Sequence, residues 1–348
     1  MQKKLNNLLI LLISLNVIFV FLGAYLYPLA SIDAVSIWYL KAKIFYLNHG
    51  IIPLDFFKNK IYQYTHLQYP LLVPYIFYLI YLFLGGINEN IIAFINPLFY
   101  LLIIIVVYKL FKKMEFSTTL SFLFTYIYSM FSPLLAQGGR EHSGDADIFI
   151  VLINWLVVLV SFNFMKHKNY KYFWSLVVLI MISSQLKGEG IFLASILFFL
   201  PVTKKIKFLS IFLAFLPFII WRIFIFYYQI PNDFYFLIPS IKEIFIRSAE
   251  IIFFTFREMI KINNWYFFWP TFLFFIVLGK LNSNYLKKII LPTLITMYGL
   301  LFIFYLFLSI SPSIYVPASI DRILLQFSPF YYIIFSTFVK EKLFNNSK

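Results

Sequence analysis

Long apolar runs follow one another along almost the whole chain, and no other feature restricts the possible folds as strongly. A helix needs about 20 apolar residues to cross the hydrocarbon layer of a membrane. Only 12% of the residues are charged and 62% are apolar, which does not suit a surface exposed to water. The chain is therefore predicted to be an all-α polytopic membrane protein, and soluble enzyme folds are excluded. The apolar runs lie at 8–27, 70–84, 91–109, 117–135, 148–165, 172–186, 191–202, 208–228, 265–279, 289–310 and 323–339.

Basic residues set the predicted topology, because cytoplasmic loops collect lysine and arginine. Lys3 and Lys4 place the N-terminus inside. The basic cluster at 109–113 would fall outside if every run crossed, so one earlier run must not cross. The run 70–84 is short and contains Pro74, and it is predicted to be an interfacial or re-entrant helix. About ten transmembrane helices remain, with both termini cytoplasmic.

The charge distribution agrees with this topology. The basic clusters then all face the cytoplasm, and they hold more than half of the 29 Lys and Arg but only two acids, Glu115 and Glu341. This asymmetry explains the net charge of +15 without a nucleic-acid partner. We therefore expect an integral plasma (inner) membrane protein whose active site faces outward.

The chain is predicted to form one membrane-embedded domain, 1–348, with a first outward loop at 28–90 that contains surface helices and a second at 136–147. It has no cysteine, which excludes disulfides, thiolate metal sites and a thiol nucleophile. Candidate chemistry must come from the charged residues and histidines of the outward loops.

The first outward loop places an acid at the start of a helix. Apolar residues at helical spacing predict an amphipathic helix on the membrane surface that begins at Asp33. Asp33 could be the N-cap of this helix or a functional carboxylate. The predicted apolar face consists of Ile37, Leu40, Ile44 and Leu47.

The same loop contains three candidates for substrate binding, Lys41, His66 and Tyr69. Pro70 is explained as the first residue of a helix. No structural role accounts for His66.

The second outward loop is dense in charge. Its charged residues and histidine lie between two apolar runs, and solvation alone does not explain that density. The alternative is a polar turn in which Asp145 or Asp147 caps the next helix. The residues concerned are Arg140, Glu141, His142, Asp145 and Asp147.

Three later outward segments carry charges near the ends of apolar runs. Lys187 and Glu189 stand beside glycines, and a structural ion pair is as plausible there as a functional one. The segment 229–264 is predicted to contain a second surface helix whose charges are mostly solvated. Arg322 precedes the last apolar run and suits a bidentate phosphate contact, with an interfacial anchor as an equal alternative.

The order of these features resembles the GT-C glycosyltransferases. More narrowly, the chain is similar to the family 39 group, which includes protein O-mannosyltransferases and the aminoarabinose transferase of lipid A. The resemblance rests on Asp33 in the first outward loop, the element from His66 to Pro70, an acid of the second loop, a Lys-x-Glu-Gly turn and a late arginine. Ala34 stands where many members carry a second acid, and only one proline of the family's loop-one element is retained.

This resemblance implies a GT-C fold and a polyprenyl-phosphate sugar as donor. Asp33 corresponds to the family's catalytic base, and Asp145 or Asp147 to its second-loop acid. The acceptor would be a hydroxyl on a glycan, lipid or protein.

The residue types suit such a transfer. A carboxylate within reach of the acceptor hydroxyl can act as general base, and attack opposite the lipid phosphate would invert the anomeric carbon. Lys187, Arg140 and Arg322 are candidates to stabilise the leaving phosphate. No metal is expected to be obligatory, although oxygen ligands from the candidate aspartates could bind Mg²⁺ or Mn²⁺.

Two other classes of function stay open. A transporter or flippase of a lipid-linked or anionic substrate would carry ionisable groups near mid-bilayer, where Arg222 is the one candidate. A non-catalytic membrane assembly subunit would not need two acid-rich outward loops. An enzyme requires Asp33, His66, the second loop and Lys187 to converge on one cavity, whereas a transporter requires a path through the membrane.

Overall fold

The computed structural model describes residues 2–28, 31–233, 235–278 and 282–344. The described residues form helices and no β-strand, with one isolated bridge between Phe236 and Leu308. The all-α class is confirmed. The α-helices are α1 (Gln2–Leu26), α2 (Leu40–Leu47), α3 (Leu54–Lys58), α4 (Leu72–Leu84), α5 (Glu89–Ile92), α6 (Ile95–Lys113), α7 (Thr118–Ser129), α8 (Ser132–Gly139), α9 (Asp147–His167), α10 (Tyr170–Leu186), α11 (Ile196–Phe199), α12 (Lys204–Tyr227), α13 (Ile241–Met259), α14 (Ile262–Trp265), α15 (Phe268–Leu278), α16 (Leu291–Phe307) and α17 (Pro312–Val339).

Short segments of other helix types adjoin several of these. Two 3-10 segments, Lys60–Thr65 and Gly188–Ser195, lie in the chain before α4 and between α10 and α11. Three π-helical segments precede or follow α-helices: Ala34–Tyr39, Leu286–Ile290 and Lys340–Phe344.

Several helices can cross a membrane. Within the described residues, six helices are long and apolar enough, or seven if the pair α7 and α8, bent by 70°, forms one span. The six are Gln2–Leu26, Glu89–Lys113, Asp147–His167, Lys204–Tyr227, Leu286–Phe307 and Pro312–Lys342. These helices are consistent with a multi-pass membrane protein.

The predicted count of ten spans needs shorter helices to cross as well. Gly188–Phe199 and Phe268–Val277 are apolar but short, and α10 has 17 residues. The 13 residues of α4 give it a length of about 20 Å, less than the hydrocarbon thickness. The count of ten, and the prediction that 70–84 does not cross, stay predictions.

The centre of the molecule is built around α17, which is buried along almost its whole length and packs against α9, α13 and α16. Its aromatic side chains pack with rings from α7 and α9, as Tyr332 does with Tyr128 and Trp155. The Tyr332 hydroxyl donates to the carbonyl oxygen of Phe124 at 2.6 Å, so its burial leaves no unpaired donor. By contrast, α1 and α12 lie at the periphery with most side chains outside the core.

The helix predicted after Asp33 is present, and Ile37 of its predicted apolar face is buried. Trp38 and Phe45, which are not part of that face, are buried as well, whereas Leu47 is 66% exposed. The first turns, Ala34–Tyr39, are π-helical, and their wider turn rotates the later residues relative to an α-helix. The face that packs against α4 is therefore shifted from the α-helical prediction.

The second predicted surface helix is α13, which begins with a capping box formed by Ser240 and Glu243. The prediction that its charges are mostly solvated is wrong at two positions. Glu258 is buried and accepts from the side chains of Asn264 and Trp265, because the chain turns back over it after α13. The Arg247 guanidinium donates to the backbone carbonyl oxygens of Tyr305, in the last turn of α16, and of Leu308 and Ile310, just after that helix.

Candidate functional site

Most of the predicted site residues converge on one cavity of about 200 Å³, which we name the acidic cavity. They come from five parts of the sequence: the start of the first outward loop, the segment 66–69 later in that loop, the second loop, the turn after α10, and α17. The predicted residues that line this cavity are Asp33, His66, Tyr69, Asp145, Asp147, Lys187, Glu189 and Arg322.

Asp33 lies at the open side of the acidic cavity and is not a helix cap. Its side chain makes no capping hydrogen bond, and Ser31 Oγ instead accepts from the backbone N–H of Ala34 at 3.2 Å. Asp33 Oδ2 accepts from Arg322 Nη1 at 2.7 Å. Its carboxylate is 40% exposed, and Oδ1 has no hydrogen bond among the described residues. The capping interpretation is wrong, and one carboxylate oxygen can accept a proton from a bound molecule.

Asp147 is the first residue of α9 and is enclosed, with a side chain 2% exposed. Its Oδ1 accepts from Lys187 Nζ at 3.1 Å and from Gln326 Nε2 at 2.5 Å. Arg322 Nη1 is 3.9 Å from the other oxygen, Oδ2. Asp147 makes no capping bond to α9. Its role is to bind the cations of two other segments together.

Lys187 extends the charged network to the turn after α10. Its Nζ is 3.7 Å from Glu189 Oε1 in addition to its contact with Asp147. Burial favours the neutral amine, but the charges of Asp147 and Glu189 outweigh it and raise the pKa of Lys187 above its ordinary value. Lys187 is therefore a buried cation with two acidic partners rather than a snorkelling interfacial lysine.

Asp145 also lines the acidic cavity and has its own hydrogen-bond partners. Ser31 Oγ donates to its Oδ1 at 2.5 Å, and His142 Nδ1 is 3.3 Å from Oδ2. Burial raises the pKa of Asp145, and the neighbouring charge of Asp147 adds to this, against lowering contacts from His142 and Ser31. Gly144 before it has φ +93°, and a side chain there would collide with Tyr39 and Ala34.

His66 lines the acidic cavity together with an aromatic cluster. Its backbone is left-handed, with φ 50°, and its Nδ1 lies 2.5 Å from Oδ2 of Asp233. Its ring stacks on Tyr69 at 4.9 Å, and Tyr69 stacks on Trp38 at 5.8 Å. The three rings form a continuous aromatic wall.

Asp233 is the site residue that sequence reasoning missed. It precedes α13 in a segment with no other acid, and it also accepts from Gln68 Nε2 at 2.9 Å. An isolated acid among apolar residues is the only sequence signal that could have drawn attention to it.

Three predicted site residues do not line the acidic cavity. Arg140 pairs with the adjacent Glu141 at 2.6 Å and lies over the Phe19 ring. His142 reaches the site only through Asp145. Lys41 is fully buried behind the aromatic wall, where its Nζ donates to the carbonyl oxygen of His66 at 2.8 Å. The structure therefore does not support direct substrate contact by these three side chains.

A second cavity, of about 500 Å³, adjoins the first, and we name it the apolar cavity. The two share Tyr69, Glu189 and Tyr315 in their walls. Most of its other lining side chains are apolar: Pro70, Ile191, Phe192, Phe218, Phe236 and Phe304.

Arg222 of α12 is the one basic residue among the described residues that line this cavity. Its guanidinium lies over the Phe218 ring at 5.1 Å, and no hydrogen bond or ion pair joins it to the described residues. An arginine in a membrane-spanning helix usually has a partner, because an isolated charge there is unfavourable. Arg222 is therefore suited to an anionic group of a bound molecule.

No group of three or more His, Asp or Glu suited to a metal ion occurs in the described part of the chain. Comparison of the chain with protein-family models, with curated proteins and with solved structures found no match.

Proposed function

We propose that the protein is a glycosyltransferase that moves a sugar from a polyprenyl-phosphate donor to an acceptor hydroxyl at the outer face of the membrane. The observation that carries this proposal is the junction of the two cavities. A chamber with carboxylates and cations opens beside a largely apolar chamber whose arginine, Arg222, makes no ion pair with the described residues. A lipid-linked sugar has the same division between a polar head and an apolar chain. The GT-C arrangement with about ten spans, suggested by the family 39 resemblance, belongs to this proposal.

Asp33 is proposed as the general base. One of its oxygens makes no hydrogen bond with the described residues and its side chain is 40% exposed, whereas Asp147 is 2% exposed and contacts three side chains. Arg322 orients the Asp33 carboxylate through its other oxygen. A base must lie within hydrogen-bond reach of the proton that it takes, and Asp33 meets that requirement for a molecule in the acidic cavity.

The transfer then balances as follows. The acceptor hydroxyl loses its proton to Asp33 while its oxygen bonds to the anomeric carbon. The bond from that carbon to the phosphate oxygen breaks, and polyprenyl phosphate leaves with the electron pair. Attack from the face opposite the phosphate inverts the anomeric carbon.

The phosphate is assigned first to Arg222. Lys187 and Arg322, the cations expected from the sequence, are already bound to Asp147 and Asp33, so a phosphate would compete with those acids for them. Arg222 makes no hydrogen bond or ion pair with the described residues, although the charge of Glu189 in the same wall acts on it, and it lies where an apolar chain would enter. A guanidinium contact to phosphate is charge-assisted and can be bidentate.

The proposal is tested by assaying the purified chain for release of free polyprenyl phosphate. The donors are undecaprenyl-phosphate hexoses and pentoses, each supplied with membrane extract as the source of acceptors, and nucleotide sugars serve as donor controls. We expect release from at least one lipid-linked donor, and Asp33→Asn should lower the rate by about 10²–10⁴-fold.

The matched control is Asp55→Asn, at an exposed acid of α3 that lines neither cavity. It should keep the wild-type rate. Wild-type release by a folded Asp33→Asn chain would remove Asp33 from the reaction. Absence of release from every lipid-linked donor would favour a transporter, flippase or assembly role.

A further inference from the structure

Asp233 joins two parts of the molecule that are 165 or more residues apart in the sequence. Its Oδ2 atom receives both the His66 contact at 2.5 Å and the Gln68 hydrogen bond at 2.9 Å. These hydrogen bonds lower its pKa although burial opposes them, so Asp233 is charged at neutral pH. The contact is therefore a charged connection between the segment 66–69 and the chain that follows α12.

The segment 66–69 is itself held from two further sides. Trp221 Nε1 donates to the carbonyl oxygen of Gln68 at 2.8 Å, and Lys41 Nζ donates to that of His66. Its Tyr69 ring faces both cavities and stacks with His66 and Trp38. A shift of this segment would move the wall shared by the two cavities.

The chain after Asp233 is attached on the other side of the apolar cavity. The Leu237 N–H donates to the carbonyl oxygen of Phe307 at 2.8 Å, and the Ser309 N–H donates to that of Tyr235 at 2.7 Å. Phe236 between them lines the apolar cavity. The chain between α12 and α13, described at 229–233 and 235–240, thus connects the segment 66–69 to the end of α16.

We infer that Asp233 is a positioning residue, which holds the shared wall of the two cavities in place by binding His66 and Gln68. It acts on the donor through these residues rather than by contact with the reacting atoms. The part of this inference that concerns turnover rests on the proposed function. The part that concerns access to the apolar cavity does not.

Access is measured by cysteine labelling, since the chain has no cysteine of its own. Ile191→Cys places one thiol in the wall of the apolar cavity. A polar, membrane-impermeant maleimide should label this thiol at least about tenfold faster after Asp233→Ala, because lost charge-assisted hydrogen bonds free the wall. Asp55→Ala, which removes an exposed acid away from both cavities, should leave the rate unchanged.

Turnover is measured in the same variants without the added cysteine. Asp233→Ala should raise the KM for the lipid-linked donor about tenfold with kcat within about threefold, and Asp233→Asn, which keeps the acceptor oxygen, should have a smaller effect. Gln68→Met combined with Asp233→Ala should add little to Asp233→Ala alone, because both remove one connection.

Equal labelling rates with and without Asp233→Ala would overturn the inference. So would a loss of kcat of about a hundredfold at unchanged KM, which would make Asp233 catalytic. If Asp233→Ala does not yield folded protein, Asp233→Ser, which also removes the oxygen that binds His66 and Gln68, takes its place in both measurements with the same expected results. If the wild-type chain transfers no sugar, the proposed function fails, and the labelling rates still decide whether Asp233 holds the wall.

Discussion

The two ends of the molecule each contain a charged cavity, but they handle charge differently. In the acidic cavity, Asp147 and Lys187 form an ion pair with each other, and their side chains are only 2% and 9% exposed. At the other end, a cavity of about 440 Å³ is lined by Lys113, Lys166 and Lys340 with two acids, Glu115 and Glu341. There, Lys166 and Glu115 are 3.5 Å apart and 49% and 81% exposed.

The pairing partners differ as well. The pair Arg322 and Asp33 joins residues 289 positions apart. Lys340, at the basic end, donates to backbone carbonyls at the turn between α6 and α7. Such carbonyl contacts are ordinary where a helix ends near lysines.

The exposed charges at the basic end are explained by membrane topology, whereas the buried charges of the acidic cavity are not. Exposed ion pairs contribute about 0–1 kcal/mol and need no special explanation beside a membrane. Buried ion pairs rarely repay the desolvation of their charges, so stability alone does not explain the network around Asp147. The acidic cavity is therefore the end at which a function should be sought.

The largest expected effect is the loss of Asp147. Asp147→Ala leaves Lys187 and Arg322 without their shared acid, and it should lower the free energy of unfolding by about 3–5 kcal/mol. Glu115→Ala at the basic end should change it by no more than about 0.5 kcal/mol. Denaturant titrations of both variants in one detergent give the comparison. Equal losses would show that burial of the network has no energetic consequence.

A smaller effect is expected from Arg222. Removing a charge-assisted phosphate contact worth about 1.5–3 kcal/mol should weaken donor affinity by roughly ten- to a hundredfold in Arg222→Ala. Arg222→Lys should recover part of the loss, because the planar fork is absent from lysine. Donor titration of purified variants measures this.

The control for Arg222 lies at the basic end, where Lys166→Ala should leave donor affinity unchanged. Alanine at Lys187 or Arg322 provides the competing test. If these variants lose affinity in folded form while Arg222→Ala keeps it, the phosphate binds in the acidic cavity, as the sequence suggested.

The smallest effect concerns pH and Lys41. Burial lowers the pKa of Lys41 from its ordinary 10.5 to about 7, with Asp233 opposing that shift. Between these two values the unfolded chain binds a proton that the folded chain does not, so stability should rise with pH in this window, by at most about 1.4 kcal/mol per pH unit. Lys41→Met should lose this slope, and Lys166→Met should keep it. Unfolding midpoints at pH 7 and pH 8, over which the expected change is at most about 1.4 kcal/mol, test the difference, and an identical slope in Lys41→Met would contradict it.

The sequence predicted the fold class and most of the acidic cavity for physical reasons. Apolar runs report membrane helices directly, and acids at the ends of such runs are unfavourable enough to mark a shared polar site. Asp33, Asp147, Lys187 and Arg322 follow from that argument and meet in one place.

The remaining details depend on contacts that the sequence does not encode locally. Asp233 reaches His66 across 167 residues, which no spacing rule can anticipate. The π-helical turn at Ala34–Tyr39 rotates the buried face of the helix that carries Lys41. Arg140 forms an ion pair with the adjacent Glu141 and does not line the cavity.

The most direct measurement follows one lipid-linked sugar through vesicles that contain the protein in a single orientation. The donor carries its label in the sugar, and the acceptor extract is added only on the side opposite the basic clusters. We expect the label to leave the lipid phosphate on that side and free polyprenyl phosphate to appear in equal amount. A labelled lipid that crosses the bilayer intact, with no release of polyprenyl phosphate, would contradict this expectation.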